Sequence, residues 1–401
     1  MAILLFIVFI DLLGFGVMIP LLPFYGLHFG ATPTEATWML GCYSLAQFVS
    51  SPLLGRLSDK IGRRPVLVVS LACSALAYLW IGFASALWML FAARLLAGAG
   101  AGNIAAAQAY ITDVTPPEQR SKGMGLIGAA FGVGFTLGPA IGGFVAGSQQ
   151  TAAALARPAF LSAGLSTLAL LLVLTLLKES LPQESRNAAA RPHRWALAQE
   201  ILTGPRQVLR QLIVLFFAVT TAFAGMETTF ALWANSAYGW NQRQVGEFFL
   251  LVGIVLIIVQ GGLIGRLSRR FGDVRLIVGG ALLIGVGLIG VPFAATSLPV
   301  LMAASACLAF GMGLFNPSIN AVISRQAATD ERGGIMGVAQ SGASLARIAG
   351  PLVGGALFGL YGRNAPYYAG AVLMVAGIAL ALRLPRESAG AGMAKAAGHP
   401  S

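Results

Sequence analysis

Charged residues are scarce in this chain, and their scarcity already excludes most classes of protein. Of the 401 residues only 10% are Asp, Glu, Lys or Arg, whereas an ordinary soluble domain contains roughly 25%. So few charges cannot cover the surface of a soluble enzyme. The hydrophobic content of 57% also makes the chain far too apolar to be disordered. The composition therefore predicts a membrane protein built from α-helices.

Cysteine is rare as well, and no enzyme signature is found. Cys42, Cys73 and Cys307 lie singly in apolar stretches, without the paired spacing of a zinc site or a disulfide framework. The sequence also lacks the motifs of an ATP-binding loop, a serine hydrolase and a zinc protease. We therefore predict that the chain is not an enzyme, holds no metal and needs no cofactor.

Long apolar runs take up most of the chain. A spanning helix needs about 20 apolar residues, and twelve runs approach or exceed this length. The first run is interpreted as a span and not as a cleaved signal peptide, because no charged segment precedes it. The predicted spans are 3–24, 37–54, 65–84, 87–111, 123–145, 159–177, 212–233, 245–265, 276–294, 298–323, 334–360 and 367–384.

The positive charges of the chain fall mainly on one side of these spans. If both termini are cytoplasmic, the opposite loops hold only Arg157, Arg243 and Arg363 of the 26 Lys and Arg residues. Arg94 and Arg347 lie inside spans. Such a bias is typical of bacterial inner-membrane or plasma-membrane proteins with cytoplasmic termini. The net charge of +12 is thus explained by topology, and we predict no nucleic-acid partner.

The two halves of the sequence repeat each other. GRLSDKIG (55–62) recurs as GRLSRRFG (265–272), and GPAIGG (138–143) recurs as GPLVGG (350–355). Six spans in each half give both halves the same orientation, as in transporters built from parallel repeats. We expect two six-helix bundles, 1–177 and 211–385, related by a pseudo-twofold axis along the membrane normal. A cytoplasmic linker, 178–210, and a tail, 386–401, complete the chain; within the linker, 195–202 is either a short surface helix or plain linker.

Four charged residues lie well inside the predicted spans, away from the span ends: Asp11, Arg94, Glu227 and Arg347. A charge in a span is costly and therefore indicates a functional site. The two carboxyl groups are candidates for taking up and releasing protons, or else are neutral structural groups bonded to a neighbour. The two arginines either steady those carboxyl groups or pair with backbone carbonyls, and Arg347 could also contact an anionic substrate.

The segment GRLSDKIGRRPVL (55–67) joins the second and third predicted spans. It resembles the loop signature of the major facilitator superfamily. The resemblance implies a cytoplasmic latch that holds the outward-open state, and it implies that Arg63 pairs with Asp113. The latch residues are Gly55, Asp59, Gly62, Arg63, Arg64 and Asp113. Since Arg269 stands where Asp59 would repeat, we expect only the first copy to be a full latch. An ordinary positively charged loop is the alternative.

Three further segments are similar to motifs of drug/proton antiporters in that superfamily, above all the tetracycline/proton antiporters. DLLGFGVMIPLLP (11–23) resembles their first-helix motif, and the segment 94–120 resembles the fourth-helix motif. GAAFGVGFTLGPAIGG (128–143) resembles the fifth-helix motif of antiporters. Its small residues form a face on which helices approach closely, or else serve tight packing alone. These residues are Gly134, Gly138, Pro139, Gly142 and Gly143.

Uncharged polar and aromatic residues of the spans are candidates for lining a substrate cavity between the halves. They are Tyr43, Gln47, Asn103, Gln108, Asn235, Asn316, Asn320 and Gln340, with Phe131, Phe223 and Trp233 as stacking partners for a planar compound.

The resemblance implies a proton-coupled exporter of small amphipathic compounds, such as tetracyclines, that works in the lipid bilayer by alternating access. We expect it to function as a monomer. One alternative is a transporter of an endogenous metabolite such as a sugar or an amino acid. A second alternative is a receptor or scaffold that has a transporter fold and carries no flux.

Overall fold

The computed structural model describes residues 2–101, 103–116, 120–181, 194–327 and 331–385, and these residues are almost entirely helical. No strand occurs among them. The helices of the first half are α1 (Ala2–Met18), α2 (Leu22–His28), α3 (Pro33–Ile61), α4 (Arg63–Gly82), α5 (Leu87–Gly100), α6 (Asn103–Val114), α7 (Arg120–Ala146) and α8 (Ala152–Leu176).

The rest of the described chain forms eight further α-helices. They are α9 (Arg194–Thr203), α10 (Gln207–Tyr238), α11 (Gln242–Ile258), α12 (Ile264–Phe271), α13 (Asp273–Phe293), α14 (Leu298–Gln326), α15 (Arg332–Tyr361) and α16 (Ala365–Leu382). A π-helical turn, Val259–Leu263, joins α11 to α12, and a 3₁₀ turn, Ala294–Thr296, follows α13. Of the two alternatives for 195–202, the short helix is observed, as α9; its location on the membrane surface stays a prediction.

The predicted spans coincide with these helices. Within the described ranges, nine helical segments are long and apolar enough to cross a membrane, and a tenth arises if α1 and α2, bent by 41°, count as one. α7 contributes an apolar stretch, Gly132–Ala146, and α3 is 29 residues long but carries charges at both ends. The polytopic helical fold is therefore confirmed, while the number of twelve stays a prediction.

The chain divides into two compact units. The first unit contains the described residues of 1–191 together with 223–254 and 344–366, and the second contains those of 192–222, 255–343 and 367–401. In the first unit, α1 packs against α7 and α8, and α4 packs against α8 and α5. In the second unit, α13 packs along α14. The predicted boundary at 178–210 stays a prediction.

Glycines bring α1 and α7 into backbone contact. A Cβ atom built on Gly138 would lie 2.6 Å from the carbonyl carbon of Gly16 and 2.8 Å from the nitrogen of Val17. Gly134 and Gly142 lie one turn before and after it on the same face of α7. Only glycine permits this approach, because any larger residue would force backbone against Cβ. The predicted small-residue face is thus where α7 crosses the first helix.

The repeated motif makes the equivalent crossing in the second half of the sequence. A Cβ on Gly225 of α10 would lie 3.2 Å from the carbonyl oxygen of Gly350, and one on Gly354 of α15 would lie 3.1 Å from Cα of Gly225. The last glycine of each motif faces a helix of the opposite half. Gly143 lies against Gly246 of α11, and Gly355 lies against Thr37 of α3. Both crossings belong to the first unit.

Candidate functional site

The first helix carries the carboxyl group predicted to exchange protons. Asp11 lies near the middle of α1 and is only 8% exposed. Phe15 follows four residues later, so both side chains lie on the same face of the helix. Because α1 is pressed onto α7 by the glycine crossing, this face is fixed within the first unit. Asp11 is therefore held inside the helical packing.

The fourth predicted span contributes Arg94, which is 1% exposed and sits in an aromatic cage. Its guanidinium carbon lies 4.4 Å from the ring centre of Tyr43 and 5.6 Å from that of Phe15. The two rings are themselves 4.8 Å apart. Within the described part of the chain, Nε and Nη1 of Arg94 meet no hydrogen-bond acceptor. The cation is stabilised by aromatic faces and keeps two donors for another partner.

A glycine explains how Arg94 reaches these rings. Gly98 lies one turn after Arg94 on α5, and a Cβ there would overlap the carbonyl oxygen of Tyr43 and lie 2.8 Å from Cβ of Ala46. The hydroxyl of Ser50 donates to the Gly98 carbonyl over 3.1 Å. The backbones of α3 and α5 therefore touch at this point, and Arg94 has to project across the face of Tyr43.

The second half of the sequence supplies the other two charges to the same unit. Glu227 lies on α10 and is half-buried, whereas Arg347 lies on α15 and is exposed. The two side chains interact electrostatically with each other. Nη2 of Arg347 donates to the hydroxyl of Ser344 over 3.1 Å. The crossing of α10 and α15 at Gly225 places this pair on neighbouring helices.

Tyr43 lies within electrostatic range of charges from both halves of the sequence. It interacts electrostatically with Arg94, Asp11 and Arg347, and Arg347 in turn interacts with Glu227. Three of the four charges predicted from the sequence therefore act on one tyrosine, and the fourth, Glu227, acts on Arg347. The sequence suggested Tyr43 only as one of many cavity candidates, because nothing local to it indicates that three helices meet there.

The proposed cavity residues are distributed unevenly. In the first unit, Gln47 and Phe223 are half-buried and Gln108 is exposed. Trp233 is fully buried, and its indole nitrogen donates to Oδ1 of Asn364 over 2.9 Å. Because it has no accessible surface in this conformation, Trp233 offers no face to a substrate here.

The other cavity candidates fall in the second unit, are hydrogen-bonded locally, or lie outside the description. Asn316 and Gln340 belong to the second unit. Asn235 donates to the carbonyl of Trp240, and Asn320 donates to that of Asn316. The side chains of Asn103 and Phe131 lie outside the described residues.

The loop between α3 and α4 forms the network that the resemblance implied. Arg63 is 3% exposed. Its Nη1 donates to Asp59 over 2.5 Å, and its Nε donates to Asp113 over 2.9 Å. Nη1 also donates to the hydroxyl of Ser58. Asp113 accepts a further bond from Ser180. The loop, the end of α6 and the segment after α8 are therefore joined through one arginine.

Glu179, which was not predicted from the sequence, caps α4. Its carboxylate accepts hydrogen bonds from the backbone nitrogens of Arg63 and Arg64 over 2.9 and 3.1 Å. Burial would raise the pKa of Glu179, but bonds from the nitrogens of Leu181, Arg63, Arg64 and Ser180 outweigh burial and lower it. A negative charge at a helix N-terminus is favourable. Glu179 therefore fixes the start of α4.

Two glycines complete the predicted latch. Gly62 has φ = 113°, a conformation that favours glycine, and a Cβ there would also overlap the Glu179 carboxylate. Gly55 has open space around it. The remaining latch residue, Arg64, donates through Nη2 to the carbonyl of Leu174 over 2.6 Å, so it anchors the loop to α8.

The second copy of this loop departs from the expectation that only the first copy would be complete. It has Arg269 in place of the first acid, but Asp273 follows Gly272 and accepts a bond from Arg325 over 2.6 Å. The hydroxyl of Ser268 donates to the same carboxylate over 2.6 Å. The second copy therefore has its own ion pair, with the acid and the base exchanged. The repeat did not reveal it, because the acid stands beyond the position that repeats Asp59.

Comparison with known proteins agrees with this architecture. The family model of the Major Facilitator Superfamily matches residues 4–273 and 261–399. The tetracycline resistance protein of class C from Escherichia coli is 31% identical over 363 residues, which cover 87% of each chain. The class E protein of the same organism is 32% identical over 86% of this chain and 85% of its own. Multidrug resistance protein 2 of Bacillus subtilis is 27% identical over 94% of this chain and 92% of its own.

Solved structures show the same fold. The human organic anion transporter MFSD10 (TETRAN) superimposes with a TM-score of 0.73 and 25% identity, over 95% of this chain and 98% of its own. A mutant of the nucleoside transporter NupG gives a TM-score of 0.77 at 12% identity, over 96% of this chain and 99% of its own. At that identity the second likeness shows the fold alone.

Proposed function

The chain belongs to the Major Facilitator Superfamily, and from this premise we propose that it is a proton-coupled exporter of small amphipathic compounds, tetracyclines among them. The chain is a membrane transporter by family, and relatives named as tetracycline and multidrug resistance proteins match it over most of its length. These names support drug export as its activity. Proton coupling is supported by the charges inside its spans.

One observation carries the proposal: four charged residues of four helices lie in one unit, where Asp11, Arg94 and Arg347 interact electrostatically with Tyr43 and Glu227 interacts with Arg347. Two carboxyl groups inside spans are costly to keep, and Glu227 has a cation, Arg347, within electrostatic range. In the first half of the sequence, Asp11 and Arg94 both interact with Tyr43 and Tyr78. In the second half, Glu227 interacts with Arg347. A paired arrangement of this kind suits carboxyl groups that alternate between a charged and a neutral state.

The proposed mechanism uses that alternation. When a proton from outside neutralises Asp11 or Glu227, the attraction to the neighbouring arginine weakens, and the balance between outward-facing and inward-facing states shifts. Export is coupled only if the carboxyl group binds its proton with different affinity in the two states. The drug then leaves in exchange for the proton that enters. Two six-helix bundles, 1–177 and 211–385, rock about a cavity between them in this proposal.

The proposal includes a location. The excess of Lys and Arg in the loops of one side supports a multi-pass protein of the bacterial inner membrane with both termini in the cytoplasm. A monomer suffices, because both pairs of charges come from a single chain.

The test is drug-driven proton movement in inverted membrane vesicles that contain the protein. A pH-sensitive dye reports the collapse of a preset proton gradient as tetracycline, a quinolone, a cationic dye or a sugar is added. We expect tetracycline to release protons from vesicles with the wild-type protein. Asp11→Asn or Glu227→Gln should abolish this release at unchanged protein level.

Glu247→Gln is the matched control. Glu247 is a carboxyl group on α11 whose side chain is 60% exposed and pairs with Arg243, so its neutralisation should leave proton release intact. Gradient-driven transport that survives in both site variants would overturn the assignment of the coupling residues. A verified, folded protein that responds to no compound would overturn export altogether.

Transport of an organic anion is a second candidate, and the exposure of Arg347 favours it. This arginine lies inside a span yet is accessible, so it is placed to meet an anionic group. MFSD10, the 25% identical neighbour, is named as an organic anion transporter. Under this candidate, Arg347→Gln should raise the KM for an anionic compound while leaving the KM for a cationic dye unchanged.

A further inference from the structure

We propose that the second copy of the loop is a docking surface for anionic phospholipid headgroups of the cytoplasmic leaflet. The surface, called the arginine face below, consists of Arg266, Arg269 and Arg270 of α12 and Arg275 of α13. The inference goes beyond the proposed function, because it depends neither on the substrate nor on the direction of transport. It takes from that proposal only the location of this loop on the cytoplasmic side.

The arginine face is exposed and lies mainly on one side of α12. Arg269 and Arg270 follow Arg266 at spacings of three and four residues, which places the three side chains on the same face of the helix. Ile264 and Leu267 belong to the same helix and pack against a buried apolar cluster of the second unit. The apolar side of α12 therefore attaches the helix to the protein, and its charged side is left to the surroundings.

Within the described ranges, no acid neutralises the arginine face. None of its four arginines forms an ion pair there. The single acid of the loop sequence, Asp273, is already bound by Arg325 and Ser268. Arg270 lies over the ring of Phe271, with its guanidinium carbon 5.4 Å from the ring centre. The face therefore presents four positive charges within ten residues to a negatively charged partner.

The first copy of the loop carries less positive charge at the equivalent positions. Asp59 stands there in place of Arg269, and it is paired with the buried Arg63. The two positions on either side of this acid are basic in both copies, as Arg56 and Lys60 in the first. Since the first loop folds without a third cation at this place, the turn itself does not require Arg269. The additional charge of the second copy therefore indicates a ligand.

The kind of ligand follows from the helix that leads to the arginine face. α12 ends the apolar segment Gln242–Phe271, whose most apolar stretch has a mean hydropathy of 2.6 and is only 17% buried. This is the smallest buried share among the nine apolar segments found in the described ranges. The bilayer therefore covers much of this helix, and headgroups lie at its charged end.

Phosphate groups of lipids fit the arginine face in charge and in geometry. Clusters of four or more Lys and Arg at the cytoplasmic end of a span attract anionic lipids. The guanidinium group also presents a planar fork of N–H donors that matches the oxygens of a phosphate. Because the arginines are exposed, the attraction should weaken as salt is added.

The experiment measures lipid binding by the purified full-length protein in a neutral detergent, with native mass spectrometry as the readout. Phosphatidylglycerol is the probe, and phosphatidylcholine with the same acyl chains is the comparison without net charge. We expect the wild type to bind phosphatidylglycerol about tenfold more tightly or better. Arg269→Asp gives the second copy the charge pattern of the first. It should weaken binding of phosphatidylglycerol about tenfold or more and leave that of phosphatidylcholine unchanged.

Two double variants form a matched pair, because each removes two positive charges at equivalent positions of the two copies. Arg266→Gln with Arg270→Gln should weaken binding of phosphatidylglycerol about tenfold. Arg56→Gln with Lys60→Gln should weaken it by less than about twofold. Melting temperatures verify that the variants are folded. The readout contains no transport step, so it stands whether or not tetracycline drives protons.

Three outcomes would overturn the inference. Equal losses in the two double variants would mean that the lipid responds to the total charge of the protein and not to the arginine face. Displacement of phosphatidylglycerol by inorganic phosphate at equal concentration would assign the face to free phosphate. A dimer that dissociates in Arg269→Asp would assign it to a second copy of the chain.

Discussion

Asp273 accepts a hydrogen bond from Arg325 over 2.6 Å, and this pair reverses the polarity of the pair formed by Arg63 and Asp113. Arg63 follows Gly62 directly, as Asp273 follows Gly272. Asp113 stands next to the last residue of α6, and Arg325 stands next to the last residue of α14. A serine completes each group, Ser58 on Arg63 and Ser268 on Asp273.

The reversal has a simple physical basis. An ion pair requires opposite charges in contact, and the Coulomb attraction between the two groups is the same whichever helix carries the acid. The two pairs differ in burial, however: the Arg63 side chain is 4% exposed, whereas that of Arg325 is 50% exposed. Arg63 also binds a second acid, Asp59. The first pair should therefore contribute more to stability than the second.

Exchange of the two charges in the second pair provides the first test. Asp273→Arg alone places two arginines together and should lower both the melting temperature in detergent and proton release. Arg325→Asp added to it restores an ion pair and should recover most of both. Because the pair is partly exposed, Asp273→Asn should cost only about 1 kcal/mol, and Arg63→Gln about 2 kcal/mol or more. If the double variant has the same melting temperature and proton release as Asp273→Arg alone, the ion pair is not the cause of the loss.

The reversed pair shows where reading the sequence was sufficient and where it was not. GRLSDKIG and GRLSRRFG reveal the repeat because most of their residues are identical, and the apolar runs reveal the spans and the helical fold. The exchange of charge keeps the ion pair, but the residues that form it are no longer identical in the two copies. Position 269 aligns with Asp59 and holds an arginine, so the repeat indicates that the acid is missing. The acid of the second copy is Asp273, four residues further along the same loop.

Acid should weaken the cap that Glu179 places on α4. Its pKa is lowered in the folded protein, so the carboxylate stabilises the fold fully above its unfolded pKa of about 4.3 and loses this contribution as the pH falls through the lower folded value. Glu179→Gln keeps an acceptor oxygen but has no charge to lose. We expect the variant to be about 1 kcal/mol less stable at pH 7.

The difference between wild type and Glu179→Gln should shrink as the pH falls below about 4.3. The measurement is the melting temperature of both proteins in detergent from about pH 7 down to about one unit below that pKa. Glu200→Gln is a suitable control, since the Glu200 side chain is 52% exposed. A gap between wild type and Glu179→Gln that is constant over the whole range would contradict the role of the carboxylate charge.

The crossing of α1 and α7 should tolerate no added methyl group. Gly138→Ala puts Cβ 2.6 Å from the backbone of Gly16. Backbone atoms cannot relieve this clash by a change of rotamer, as a side chain can. We expect a loss of about 1–3 kcal/mol in stability and a slower rate of proton release. Gly164→Ala is the matched control on α8, where nothing lies within 4 Å of the new Cβ; it should be neutral or slightly stabilising. Equal effects of the two substitutions would refute the close contact.

The candidate site was partly within reach of the sequence. Asp11, Arg94, Glu227 and Arg347 stand out because a charge in an apolar run is visible without any structure. Tyr43 does not, since a tyrosine in a span is ordinary and its importance comes from its contacts with Phe15 of α1 and Arg94 of α5. A residue whose role depends on contacts with distant parts of the chain leaves no local sequence pattern. A charged residue in an apolar span does leave one, because burying its charge costs free energy.

The last contact to test joins the two halves of the sequence within the first unit. A Cβ on Gly355 of α15 would overlap the hydroxyl of Thr37 on α3 and lie 2.9 Å from its Cβ. Gly355→Ala should therefore separate the two helices at this end, destabilise the protein by about 1–3 kcal/mol and slow proton release. Gly333→Ala, at the other end of α15 with open space around it, should not.

Relief of the overlap distinguishes a local clash from a general defect of α15. Thr37→Ala removes the offending hydroxyl, whose own bond runs only to the carbonyl of Thr34 one turn back, so the single variant should be mild. The double variant Gly355→Ala with Thr37→Ala should regain part of the lost rate, but not all, because the Cβ atoms still lie too close. If the effects of the two substitutions on the rate simply add, the defect of Gly355→Ala does not come from its contact with Thr37. A partial recovery of the rate would show that the contact between α3 and α15 at this point limits proton release.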